Sequence, residues 1–170
     1  MRRSKVTSLG LLLLVAVLAA SIHHAWNEPP AADFTGRCVA IADGDTITVM
    51  YHGREERIRL HGIDCPEKKQ PFSDAARKFT GEMVFNKVVT VEFRDRDRYG
   101  RTVGWVTTSD GRVLNLELVK AGLAWWYREY APDDERLAEA ESAARQARKG
   151  LWADKDPIPP WRFRRTKTRS

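Results

Sequence analysis

TITVMYHGREERIRL, residues 46–60, reads as two strands and the turn between them. Ile47, Val49 and Tyr51 alternate with polar neighbours, the period of two expected of a half-buried strand. His52-Gly53 interrupts that period as a tight turn, and residues 54–60 run back, so the segment is a hairpin. Working outward, residues 34–41 are a strand before it. Beyond it, Ser73-Asp74 is expected to cap a helix whose apolar stripe is Ala76, Phe79 and Met83. Residues 87–93 and 101–107 are two more strands, the second ended by an Asp110-Gly111 turn. Asn115 is expected to cap a short helix that Gly122 stops. A last helix starts near Pro132-Asp133, with the stripe Leu137, Ala140, Ala144, Ala147 and Leu151 and a stop at Gly150. That stripe is small and regular, which marks packing rather than a site. Three strands, a helix, two strands and two helices make an α+β chain, fitted by a strongly bent five-stranded barrel with helices on one side.

With 170 residues, 42% hydrophobic and 31% charged, the chain has room for one ordinary globule plus tails. Its net charge of +6 resides at the ends. Without residues 1–21 and 161–170 there are 21 basic residues against 23 acidic, so attraction for phosphate must come from local placement, a bound cation or the tail. A basic start, an uncharged run over residues 9–20 and small residues after it have the form of a secretory signal, and the run is shorter than the ~20 residues that span a bilayer. The expected organisation is a signal over 1–21, a linker over 22–32, a folded domain over 33–154 and a basic, disordered solubilising tail over 155–170. Export permits a disulfide between Cys38 and Cys65. Cys38 lies seven residues before Asp45, roughly 23 Å of extended strand, so two free thiols are expected if Cys65 sits beside Asp45.

The chemistry concentrates in Asp43-Gly44-Asp45, Arg59, Asp64-Cys65-Pro66-Glu67 and Asp97-Arg98-Tyr99-Gly100-Arg101. Calcium prefers several oxygen ligands and tolerates irregular geometry. An extended Asp43–Asp45 segment points both carboxylates to one side, and the far end of the hairpinned strand brings Asp64 and Glu67 alongside. Asp-Gly-Asp by itself is an ordinary turn sequence. An EF-hand loop is excluded, because Ile47 stands at its third ligand position with no glycine following. Arg59 alternates with Ile58 and Leu60 and so leaves the opposite face of the strand. His61 reads as structural, Asp95 as a turn residue, and Trp125 and Trp126 as core.

These stretches, in this order, closely resemble the thermonuclease, or staphylococcal-nuclease-like, family. Asn115-Leu116-Glu117, Ala121-Gly122-Leu123-Ala124 and Gly150-Leu151-Trp152 extend the resemblance over residues 34–152. It implies an OB-fold barrel of five strands with three α-helices. It also implies a calcium ion held by Asp45, Asp64 and the backbone carbonyl of Cys65, with Asp43 in the outer shell. Glu67 would be general base, Arg59 and Arg101 would grip the phosphate, and Tyr99, Tyr130 and Arg98 would contact substrate. The implied activity is phosphodiester hydrolysis in DNA and RNA, single strands preferred, with little sequence specificity and 3′-phosphate products. A secreted or periplasmic monomer without stable membrane association is the expected form, and the rate should improve above neutral pH. Departures from the family pattern are Cys65, where threonine or an alanine-like residue is usual, a short segment at residues 68–72, and Arg128 at a tyrosine position. The rival reading is a catalytically idle OB-fold binder; a pure binder has no need of Asp45, Asp64, Arg59, Glu67 and Arg101 together.

Overall fold

The computed structural model describes residues 30–167. The expected signal and most of the linker lie outside them. Strands β1 (Phe34–Ile41), β2 (Thr46–Tyr51), β3 (Arg54–Leu60), β5 (Val88–Arg96) and β6 (Thr102–Thr108) close a barrel in the order β1-β2-β3-β6-β5. The hairpin is as read: Thr46 pairs with Arg59 and Tyr51 with Arg54, across His52 and Gly53, both at positive φ. Every pairing is antiparallel except β3 with β6, where Ile58, Arg59 and Leu60 face Thr102, Val103 and Gly104 in parallel. The barrel core is Cys38, Ile47, Val49, Ile58, Leu60, Val89, Val91 and Val106, all essentially without exposed surface. This is the OB-fold architecture, α+β.

Helices α1 (Ser73–Val84) and α2 (Leu114–Lys120) pack against barrel strands β1 and β6 and on each other, and α3 (Glu135–Gln146) packs on α2. Three expectations about them are corrected. Ser73-Asp74 does not cap α1. The cap residue is Phe72 in the left-handed region, with no side-chain bond; a backbone turn does the work, Ser73 N donating to the Gln70 carbonyl. Asn115 does not cap α2 either, since Val113 precedes the helix. Asn115 is fully buried and ties α2 to the barrel: its Oδ1 accepts Val106 N at 3.1 Å, and its Nδ2 donates to the carbonyls of His61 (3.0 Å) and Gly104 (3.3 Å). Asn115→Ala removes the side-chain partner of Val106 N and of the His61 carbonyl in the core, while the Gly104 carbonyl keeps the His61 amide at 2.8 Å, so a loss of roughly 3 kcal/mol in a urea unfolding curve is expected. Third, α3 begins at Glu135, where the Asp134 carboxylate caps Leu137 N at 3.1 Å. Its stripe of Leu137, Ala140 and Ala144 is core, as read.

A two-stranded sheet of β4 (Ile63–Asp64) and β7 (Trp125–Trp126) lies outside the barrel and pairs Asp64 with Trp125. Glu141 of α3, 2% exposed, secures it from behind: its Oε1 accepts Trp126 N at 3.2 Å, while Arg128 and Arg145 hold Oε2 at 2.8 and 3.2 Å. Gly122 and Gly150, both at positive φ, back onto each other; a Cβ on Gly122 would strike the Lys149 carbonyl. A 3₁₀ turn over Gly150–Ala153 follows.

Over residues 155–167 the tail is ordered, and among the described residues the α-helices number four rather than three. Residues Pro160–Lys167 form α4, whose first turn uses Pro160 in place of an amide it would not need. Near the other end of the described chain Pro30 is buried, its carbonyl accepting Arg96 Nη2 at 3.2 Å. Among the described residues no helix is long and apolar enough to cross a membrane.

Candidate active site

The turn Asp43-Gly44-Asp45 is locked from several sides. Asp43 Oδ1 accepts Asp45 N at 3.1 Å, Thr80 Oγ1 of α1 donates to the Gly44 carbonyl at 2.6 Å, and Leu60 N donates to the Asp45 carbonyl at 2.9 Å. A Cβ on Gly44 would lie 2.8 Å from the Ala76 Cβ and 2.9 Å from the Cys65 Sγ, so glycine is what lets Cys65 approach. The result is a 2.6 Å bond from Cys65 N to Asp45 Oδ2. Carboxylates 19 residues apart in the chain thereby meet: Arg59 Nη1 lies 3.1 Å from Asp45 Oδ2, and Arg59 Nη2 lies 2.8 Å from Asp64 Oδ1.

Burial dominates the electrostatics of this pair. It pushes the Asp45 carboxyl up to about 7, with Asp43 and Asp64 adding repulsion that the Arg59 charge offsets only in part. Asp64 is raised for the same first reason, against the pull of Arg59 and then Arg164. Burial acts to weaken the Arg59 guanidinium, but Asp45 and then Asp64 more than restore it, holding its proton more tightly than usual. Among the described residues no three His, Cys, Asp or Glu side chains gather tightly enough to coordinate an ion by themselves. Two buried hard-oxygen carboxylates beside an adjoining backbone segment are nevertheless a donor set that fits calcium, which completes its shell with carbonyl oxygens and water.

Arg101 approaches from the turn before β6. Its Nη1 is 3.5 Å from Thr46 Oγ1, and Thr46 is the register partner of Arg59, so both guanidiniums lie at the same end of the barrel. Asp97 orients Arg101: Oδ2 accepts its Nε at 2.7 Å, and Oδ1 accepts the amides of Arg101 (3.0 Å) and Tyr99 (2.9 Å). Although partial burial acts to raise Asp97, these donors outweigh it and keep its carboxyl below the ordinary range. Tyr99 and Tyr130 present 68% and 62% of their surface, and Arg98 covers Tyr99 with its guanidinium 4.9 Å from the ring centroid. These three form an exposed rim and do not enter the carboxylate cluster.

Two residues that the sequence did not single out complete the site. Arg164 of α4 reaches both oxygens of Asp64, Nη2 to Oδ2 at 3.0 Å and Nη1 to Oδ1 at 3.3 Å, and its Nη1 lies 2.6 Å from Glu67 Oε1. Gln70, buried, accepts Glu67 N at 2.8 Å and donates to the Ile158 carbonyl at 3.0 Å, so it ties the Glu67 loop to the tail. The sequence signal that could have found Arg164 is the interleaving of aromatic and basic residues from Trp161 to Arg169. The decoys resolve simply. His61 is half-buried against Trp105, and burial, then the nearby Arg94, lowers its affinity for a proton. Cys38 and Cys65 are both buried free thiols. Trp125 is core, edge-on to Trp152, and Trp126 is half-buried beneath Arg128. Asp95 lies in β5 beside the irregular register at Phe93, not in a turn.

A closed five-stranded barrel with helices packed on it, bearing Asp45, Asp64, Arg59 and Arg101 at one end, is the architecture of a staphylococcal-nuclease-like protein. The family model described as "Staphylococcal nuclease homologue" matches residues 57–154. An "Uncharacterized endonuclease" of Escherichia coli is 46% identical over 136 residues, 80% of this chain and 88% of that protein. "Micrococcal nuclease" of Shigella flexneri is 38% identical over 91% of this chain and 94% of its own length. "Protein ParB" of Escherichia coli is 39% identical over 97% and 95% respectively. The chain belongs to the staphylococcal nuclease homologue family.

Proposed function

We propose that this protein is an exported, calcium-dependent endonuclease that hydrolyses phosphodiester bonds in DNA and RNA, prefers single strands, leaves 3′-phosphates and acts as a monomer in the periplasm or outside the cell. Nuclease activity follows from the family. What supports the calcium reading is the meeting of Asp45 and Asp64 on one guanidinium at the end of an OB barrel, beside Cys65; export rests on the signal-like residues 1–21, and substrate and product preference on the family resemblance.

Asp45, Asp64 and the Cys65 carbonyl would hold the ion, with Asp43 behind them. Bound Ca2+ supplies positive charge to the phosphoryl oxygens as negative charge develops on them. Arg59 and Arg101 are planar forks that can each grip phosphate oxygens through paired hydrogen bonds. Asp97 aims Arg101, so that its charge is in place before substrate arrives. Glu67 is the group with the freedom to take a proton from attacking water, being more exposed than Asp45 or Asp64. Tyr99, Tyr130 and Arg98 offer an exposed stacking and phosphate surface beside the cleft.

Digestion of denatured DNA tests the assignment. Chelation is expected to abolish cleavage, and Glu67→Gln and Arg101→Ala are each expected to lower the turnover rate by roughly 100-fold or more. Activity that survives chelation removes the calcium mechanism. Undiminished turnover in both variants removes the residue roles and leaves the family fold untouched.

A further inference from the structure

The C-terminal helix enters the site from outside the segment that defines the family, since the family match ends at residue 154 and α4 begins at Pro160. Its docking is built rather than casual. Pro159 and Pro160 are buried, the Ile158 carbonyl is held by Gln70, and Trp161 stacks on Tyr127 at 4.9 Å and 10° while standing edge-on to Trp125 at 5.7 Å. One turn further on, Arg164 engages both oxygens of Asp64 and one of Glu67.

Those oxygens are the ones a divalent ion must use. Calcium draws carboxylate oxygens to about 2.3–2.6 Å, which needs lone pairs directed at the ion. Arg164 and Arg59 together already engage both oxygens of Asp64. A guanidinium and a divalent cation on one carboxylate also repel each other, in a setting where burial limits screening. Full occupation by both is therefore unfavourable.

We propose that α4 is a tethered internal cation. Arg164 occupies the Asp64–Glu67 carboxylates in the calcium-free enzyme, and calcium displaces it, so metal loading and release of the helix are one coupled equilibrium. This rests on the calcium reading above. The helix keeps the carboxylates neutralised when the ion is scarce and raises the calcium concentration at which the enzyme switches on. An ion that must displace a docked competitor binds with an affinity reduced by the fraction of molecules already open.

Calorimetric calcium titration of the full chain, of Arg164→Met and of Trp161→Ala tests this, together with amide exchange of residues 160–167 with and without calcium. Both variants are expected to bind calcium roughly tenfold more tightly, and in the unaltered chain calcium should speed exchange along α4. Trp161→Ala is the decisive arm because it loosens the docking without removing a charge. Tighter binding by Arg164→Met alone, with α4 equally protected in both states, overturns the proposal and makes Arg164 a phosphate ligand beside the ion. Equal affinities in all three chains overturn it while leaving the calcium reading intact. Absence of calcium binding in all three overturns both. The exchange measurement on the unaltered chain decides the matter even if a variant folds poorly.

Discussion

Replacing Arg59 by alanine is expected to lower the melting temperature of the calcium-free protein by roughly 10 °C or more and to reduce cleavage by about 10³-fold or more. Among the described residues Arg59 is the side chain that bridges Asp45 and Asp64, at 3.1 and 2.8 Å. The two carboxylates are 6% and 2% exposed, so water cannot replace it. Removing one partner of a buried ion pair typically costs about 3–5 kcal/mol, because the remaining charge is left in a poor solvent. Above the pH at which Asp45 ionises, two like charges are then left facing each other, with Arg164 still against Asp64. On the calcium reading proposed above the ion is the substitute counter-charge, so most of the lost melting temperature should return on adding it, while the activity should not, because the proposed grip of Arg59 on phosphate is a separate task. Scanning calorimetry with and without calcium, beside a nuclease assay, reads both effects. A variant as stable as the parent without calcium would mean that Asp45 and Asp64 do not depend on Arg59.

The calcium-free protein is expected to lose stability as pH rises from about 4 to above 7, the reverse of the usual behaviour of a salt-bridged aspartate. The Asp45 carboxyl is pushed up to about 7 by burial first, then by Asp43 and Asp64, from an ordinary value of 3.8. Between those values the folded chain holds a proton that the unfolded chain has released. The stability this provides is therefore fully present below 3.8 and disappears as pH passes through about 7. Asp64, raised in the same direction, adds to the trend. The size is on the order of a few kcal/mol, since each tenfold gain in proton affinity on folding corresponds to about 1.4 kcal/mol. Calcium requires the deprotonated carboxylates, so its affinity should climb over the same interval and flatten above it. Chemical denaturation at pH 5, 6, 7 and 8 with chelator present checks the first half, and calcium titration at those pH values checks the second. Stability that rises steadily from pH 5 to 8 would show that Arg59 outweighs burial at Asp45.

The parts of this protein that follow from neighbours in the chain were readable from it. Alternation at residues 46–60 marks a hairpin whichever way the rest folds, because side chains on a strand alternate faces regardless of context. Asp43-Gly44-Asp45 and Asp97 to Arg101 likewise carry their own local geometry: each first aspartate accepts the amide two residues later. Where reading failed, a distant group had replaced a local one. Asn115 reads as a cap in sequence, yet it lies inside α2 and its amide is spent on β6 and the His61 carbonyl, a choice that exists only once α2 lies against the barrel. Ser73 lost its capping role to the backbone turn at Gln70, itself steadied by the tail.

By itself, then, the chain of residues determined the strands, the approximate helices and the set of acidic and basic groups from which a site could be made. Only the tertiary structure decided the parallel contact of β3 with β6, the closing of Asp45 onto Cys65, and the arrival of Arg164 on Asp64 across 100 residues of sequence. The reason is physical. Local pattern is set by sterics and side-chain period within a few residues, whereas a guanidinium finds its carboxylate through burial and charge, forces that depend on distance in space and are blind to distance along the chain.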